Sequence, residues 1–133
     1  MTECWLRSSA AAAITDHAWR EHPRECCGIL LGQGPQILNA VPVQNLAADA
    51  NRFLLDPKQH IEIRRDARRS GLAVVGFYHS HPHSAAQPSQ TDMAEADTEA
   101  LHVIVSLQTD PPSIRAFWIQ DGGFREVMVN LGI

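Results

Sequence analysis

No window of this 133-residue sequence approaches about 18 consecutive apolar residues, so no membrane-spanning helix is expected. The opening MTECWLRSSAAAAITDHAW lacks the charged leader and unbroken apolar stretch of a secretory signal, which makes a cytosolic protein the expectation. Cysteine is scarce. Cys4, Cys26 and Cys27 are an odd number, and adjacent cysteines seldom pair with each other, so reduced thiols are expected rather than a disulfide framework. Positive charge is also in short supply, with 11 Lys and Arg against 15 Asp and Glu, a net charge of -4 and a pI near 5.9. Neutralising phosphates needs a concentrated basic face, and only IRRDARRSG supplies one locally, so a general nucleic-acid partner is not expected. No internal repeat, linker or low-complexity segment stands out beyond the alanines at 10 to 13.

The length fits one domain able to bury most of its apolar surface without disulfides. After an extended start from Glu3 to Leu6, Ser8 or Ser9 could cap a helix carrying Ala11, Ile14 and Ala18 at helical spacing until Pro23 stops it. CCGILLG reads as a short buried strand closed by glycine, and QILNAVPVQN as a second strand that Pro42 places at an edge or bulge. Asp56 before Pro57 starts a helix that Gly71 ends. LAVVGFYHSH is a nearly unbroken apolar strand, and a Pro/Ser/Ala loop then leads to a short helix in SQTDMAEAD. LHVIVSL, IRAFWIQ and FREVMVNL follow as strands, the last two joined by a hairpin turn at DGG. An α/β sheet packed by about two helices results.

Polar chemistry gathers where LAVVGFYHSH ends. Residues two apart in a strand share a face, so His79 and His81 present two imidazoles side by side. Pro82 ends sheet pairing, the loop through Pro88 turns the chain back, and Asp92 could supply a third ligand. Three protein ligands and one open position are what a hydrolytic zinc site needs, together with a nearby unligated carboxylate to carry a proton. Glu25, at the entry to CCGILLG, is the candidate for that carboxylate.

Plainer readings compete at each position. Ser89 and Asp92 also form a helix-start pattern, compatible with a ligand role because the cap fixes where Asp92 points. A His-x-His in a strand also occurs in cupin-type metal barrels, which want further ligands where only His102 remains downstream. His17, His22, His60 and His83 read as surface or helix-end residues, His83 close enough to line the rim of the cluster. Cys26 and Cys27 read as small hydrophobes, with a Cys-His hydrolase as the alternative. The arginines at 64, 65, 68 and 69, mixed with Glu62 and Asp66, read as a solvated helix surface or as a dock for an acidic partner.

Glu25 in ECCGILLG, His79-x-His81-Pro82 and, seven residues on, Ser89-x-x-Asp92 together resemble the JAMM (MPN+) metalloprotease family. The likeness extends over nearly the whole chain, through the NRFLLDP segment, to the small prokaryotic members. It implies an α/β fold over residues 1–133, a single MPN (JAB-type, cytidine-deaminase-like) domain with a central mixed sheet flanked by helices. It further implies that His79, His81 and Asp92 hold Zn2+, that Glu25 is the general acid/base and that Ser89 hydrogen-bonds the oxyanion of the tetrahedral intermediate. The implied reaction is hydrolysis of an amide bond next to the C-terminal Gly-Gly of a ubiquitin-like or sulfur-carrier protein. Such a tail has no side chains to clash and can add along a sheet edge. A catalytically inactive MPN-type binding scaffold is the alternative, although such scaffolds usually lack part of the ligand set that is present here.

Overall fold

The computed structural model describes residues 1–120 and 122–132. Seven strands and three helices follow one another as β1 (Glu3–Leu6), α1 (Ser8–Glu21), β2 (Cys27–Gln33), β3 (Gln36–Val43), α2 (Pro57–Arg69), β4 (Ala73–His81), α3 (Gln90–Glu95), β5 (Leu101–Ser106), β6 (Ser113–Gln120) and β7 (Gly123–Leu131). The strands form one mixed sheet in the order β1-β3-β2-β4-β5-β6-β7, which closes on itself because β1 also pairs with β7. β1 runs parallel to both its neighbours and β4 parallel to β5, whereas the remaining pairs are antiparallel.

Strand alternation divides the core. Leu30 and Tyr78 point to the face covered by α1, where Ala10, Ile14 and Ala18 recur at three- and four-residue spacing and are buried. Ile29, Leu31 and Phe77 point the other way, toward Ala67 and Ile63 of α2. Ile104, Phe117 and Ile119 extend that second face to Met93 of α3 and Ala96 just after it. His79 and His81 have the parity of Phe77, so they too lie on the face shared by α2 and α3.

Asp56 caps α2 by accepting from the Lys58 N–H, with Pro57 at the first helical position, and Gly71 follows the helix at φ 75°. Pro42 sits at an open edge, because β1 pairs only with Gln36 and Ile37 of β3; the register irregularity in β2–β3 lies elsewhere, between Leu31 and Gly32. Gln120 pairs with Gly123 across the hairpin expected at DGG, where Gly122 has φ 75°; Asp121 lies outside the described residues.

Two local expectations are corrected. Neither Ser8 nor Ser9 caps α1. Both are already helical, and Arg7 is the N-cap without a side-chain bond. The Arg7 N–H donates to the Ile37 carbonyl at 2.9 Å, so pairing with β3 holds the chain extended through Arg7 and the helix starts directly after it. His17 is not a surface residue but is buried on the packed face of α1, its Nδ1 in a 2.8 Å hydrogen bond with the Tyr78 hydroxyl.

That bond fixes the Tyr78 ring against Gly28, where a Cβ would stand 2.1 Å from Tyr78 Cε1. Gly28→Ala is therefore expected to cost about 1–3 kcal/mol through overpacking. Urea denaturation measures it, and a midpoint equal to wild type would show that the ring yields.

Candidate active site

β4 delivers the two imidazoles and α3 the carboxylate. His79 Nε2 and His81 Nε2 are 3.1 Å apart, and Asp92 Oδ2 lies 3.1 Å from the first and 3.0 Å from the second. Asp92 gets there through the cap of α3: the Ser89 hydroxyl accepts the Asp92 N–H at 3.0 Å, and the Ser89 N–H donates to Asp92 Oδ2 at 3.0 Å. Among the described residues these three side chains are a set of donors that could hold a metal ion. Ligands about 2.0–2.1 Å from a tetrahedral zinc stand about 3.3 Å from one another, so the observed triangle is close to the edge length required.

His81 Nδ1 faces the Ala85 carbonyl at 2.8 Å; donating its proton there turns the Nε2 lone pair toward the triangle. No such hydrogen bond holds His79 among the described residues. Phe53 stacks on its ring instead, with centroids 4.4 Å apart and planes inclined by 22°.

Burial disfavours the charged form of His79 and lowers its pKa, despite the hydrogen bond and charge of Asp92, leaving the neutral imidazole that a metal ligand must be. Burial opposes charge on His81 as well, but there the Asp92 hydrogen bond, the Ala85 carbonyl and the charges of Asp92 and Glu25 prevail and raise the pKa. For Asp92 burial acts upward, and the hydrogen bonds with His79 and His81 overcome it and hold the carboxyl well below the usual range. A proton on His81 and a bound cation would thus compensate Asp92 at the same nitrogen.

Glu25 stands just before β2 with its side chain buried and Oε1 without a hydrogen-bond partner among the described residues. Burial pushes its pKa up to about 7, tempered by His81 and reinforced by the negative charges of Asp92 and Asp49. A carboxylate poised there can take or give a proton near neutral pH. Backbone bonds and one amide fix its place. The Glu25 N–H donates to the Ala50 carbonyl at 3.1 Å, and Asn45 Nδ2 donates to the Glu25 carbonyl at 2.9 Å. Next to it, the Cys26 N–H donates to Ser80 Oγ at 2.8 Å and the Ser80 N–H donates to the Cys26 carbonyl at 3.1 Å.

Other candidates fall outside this cluster. Cys26 and Cys27 are buried, and burial first of all pushes their thiols up to about 11 and about 12, which removes the thiolate that a Cys-His hydrolase needs. His102 Nε2 donates to the Asp97 carbonyl at 2.7 Å, and His102 is not part of the donor set, as a cupin would require. His83 is exposed, its ring 5.2 Å from that of His22. The α2 arginines at 64, 65, 68 and 69 are all solvated, and Arg69 pairs with Asp66 at 3.5 Å. Phe53, Asn45 and Ser80 were not singled out by the sequence, although a serine between two histidines in an otherwise apolar strand marks a side chain on the opposite, packed face.

Residues 7–120 match the family described as prokaryotic homologs of the JAB domain. The chain is 34% identical over 131 residues to the desampylase of Haloferax volcanii, with 93% of each chain covered. It is 29% identical over 130 residues to the CysO-cysteine peptidase of Mycobacterium tuberculosis, covering 95% of this chain and 89% of that one. The solution structure of a Desulfitobacterium hafniense protein superposes with a TM-score of 0.88 at 28% identity, over 96% of this chain and 92% of the other.

Ser80→Ala strips the Cys26 N–H of its buried acceptor, so a loss of about 1–3 kcal/mol in denaturant unfolding is expected; an unchanged midpoint would mean that the amide finds another partner. Glu25 is linked to pH as well. Its pKa is raised on folding, so its contribution to stability falls as pH rises from about 4.5 to about 7. Glu25→Gln should therefore stabilise the chelated protein by up to the order of 3 kcal/mol at pH 8 and by little at pH 4.5. A gain independent of pH would show that the carboxylate is not desolvated.

Proposed function

The chain belongs to the prokaryotic JAB-domain family, and from that premise we propose that it is a zinc peptidase or isopeptidase. Its substrate is the amide bond that follows the C-terminal Gly-Gly of a ubiquitin-like or sulfur-carrier protein. The observation that carries the reading is the meeting of His79, His81 and Asp92 beside a buried Glu25 carboxylate whose Oε1 has no partner among the described residues. Two relatives, named desampylase and CysO-cysteine peptidase, support the substrate class.

His79, His81 and Asp92 would hold the ion, two neutral nitrogens and one carboxylate oxygen being a donor set that suits zinc. Bound zinc supplies Lewis acidity, which polarises a carbonyl and acidifies water to a pKa of about 7. Glu25 accepts the proton of the attacking water at its carboxylate and returns it to the departing nitrogen. Beside a bound dication the Glu25 carboxyl would be drawn back down from about 7, favouring the base form that accepts the proton. In capping α3 the Ser89 hydroxyl uses a lone pair, so its own hydrogen remains free to donate to the carbonyl oxygen as negative charge develops. Phe53 and the Ala85 carbonyl keep the two imidazole planes in place.

Glu25→Gln should retain zinc at about one ion per chain and lose about 100-fold or more in cleavage of a carrier with a C-terminal extension. Asp92→Ala should lose the ion itself. Elemental analysis and mass spectrometry of the carrier check both. Full turnover by the glutamine variant would overturn the role of Glu25, and wild-type zinc content in the alanine variant would reduce Asp92 to a cap residue.

A further inference from the structure

Beyond the ligand triangle, His79 and Asp92 also form one wall of a cavity of about 770 Å³. Its floor is Phe77 and Ile119 of the sheet, and its far side is the segment between β3 and α2, including Leu46 and Leu55. That segment is a built element rather than a trailing loop: the Leu46 N–H donates to the Leu54 carbonyl at 2.8 Å and the Asp56 N–H to the Gln44 carbonyl at 3.2 Å. An ion pair between Arg52 and Glu95 ties it to α3 across the cavity. Leu46 and Leu54, 45% and 57% exposed, carry the apolar surface out to the rim.

A volume of this size lies within the roughly 300–1,000 Å³ that takes a drug-sized ligand. The acyl side of the proposed scissile bond is Gly-Gly, which has no side chain to put there. A single departing cysteine would fill only a small part of it. Resting on the amide-hydrolase reading above, we propose that this cavity receives the leaving-group side of the substrate, a peptide segment with a large apolar side chain next to the scissile bond. The substrate class is thereby narrowed to carriers whose Gly-Gly is followed by, or joined to, an apolar peptide segment. Burial of one such side chain is worth enough to set the preference, since a single methylene in an apolar pocket already changes kcat/KM by about tenfold or more.

The test uses one ubiquitin-like carrier made with two endings, Gly-Gly-Cys and Gly-Gly-Phe-Leu, and three proteins: wild type, Ala48→Trp and Ala96→Phe. Both substituted positions line the cavity, and neither supplies a donor atom or the Ser89 cap that orients Asp92. Wild type is expected to cleave the Phe-Leu ending with a kcat/KM at least about tenfold above the cysteine ending, and each cavity-filling variant to lose that preference while still releasing cysteine. Equal wild-type rates on the two endings, or variants that slow both alike, would overturn the proposal. A second measurement needs no turnover: titration of chelated wild-type protein with a Gly-Gly-Phe-Leu peptide should shift the methyl NMR signals of Leu55 and Ile119, and unshifted signals would overturn the proposal too. If neither ending is cleaved, the hydrolase reading fails, and the methyl signals still decide what the cavity binds.

Discussion

The site depends on the antiparallel register between β2 and β4. Cys27 lies opposite His79, which places the residues before Cys27 beside the end of β4 where His79 and His81 emerge. Ser80 closes that junction from the other face of the strand, exchanging bonds in both directions with Cys26. A slip of one residue would turn the imidazoles into the core packed by α1 and carry Glu25 away from them. The slip is opposed on both faces: Tyr78 is held by His17 and lies against Gly28, while Phe77 packs among the residues that α2 covers. The proton-carrying residue and the donor triangle are thus brought together by sheet pairing, although more than fifty residues separate them in sequence.

The electrostatics of the cluster favour a positive charge. Glu25 is buried with an oxygen that has no partner among the described residues, Asp92 is held ionised, and His79 is held neutral. Removing carboxylates from water is costly unless a cation or hydrogen-bond donors compensate. His81 provides part of the compensation by accepting a proton, and that proton competes with a metal for the same nitrogen. Burial of the same groups excludes bulk water, which strengthens every remaining interaction in the cluster.

Much of this was legible in the sequence because it follows from local rules. The His-x-His alternation, the Ser-x-x-Asp cap and the Asp-Pro helix start each need only a few neighbouring residues, and the structure brings His79, His81 and Asp92 together and sets Glu25 near them. What escaped was set by distant partners. Ser8 is a good capping residue, but the bond from Arg7 to Ile37 of β3 determines where α1 begins. His17 looks like one more polar position in a helix until Tyr78, 61 residues away, supplies its partner. Phe53 and the cavity depend on how the segment between β3 and α2 crosses the sheet, a path fixed by Asn45, which donates both to Glu25 and to the Arg52 carbonyl.

The closure of the sheet bears on how such a chain matures. β1 is flanked on one side by β3 and on the other by β7, and nearly the whole sequence separates Glu3 from its partner Met128. During translation the first strand emerges early and must wait, one edge unmatched, until the ribosome has released the last. Contacts of such long range make ring closure a late and slow event. Until then the exposed edge is a place where another nascent chain could attach.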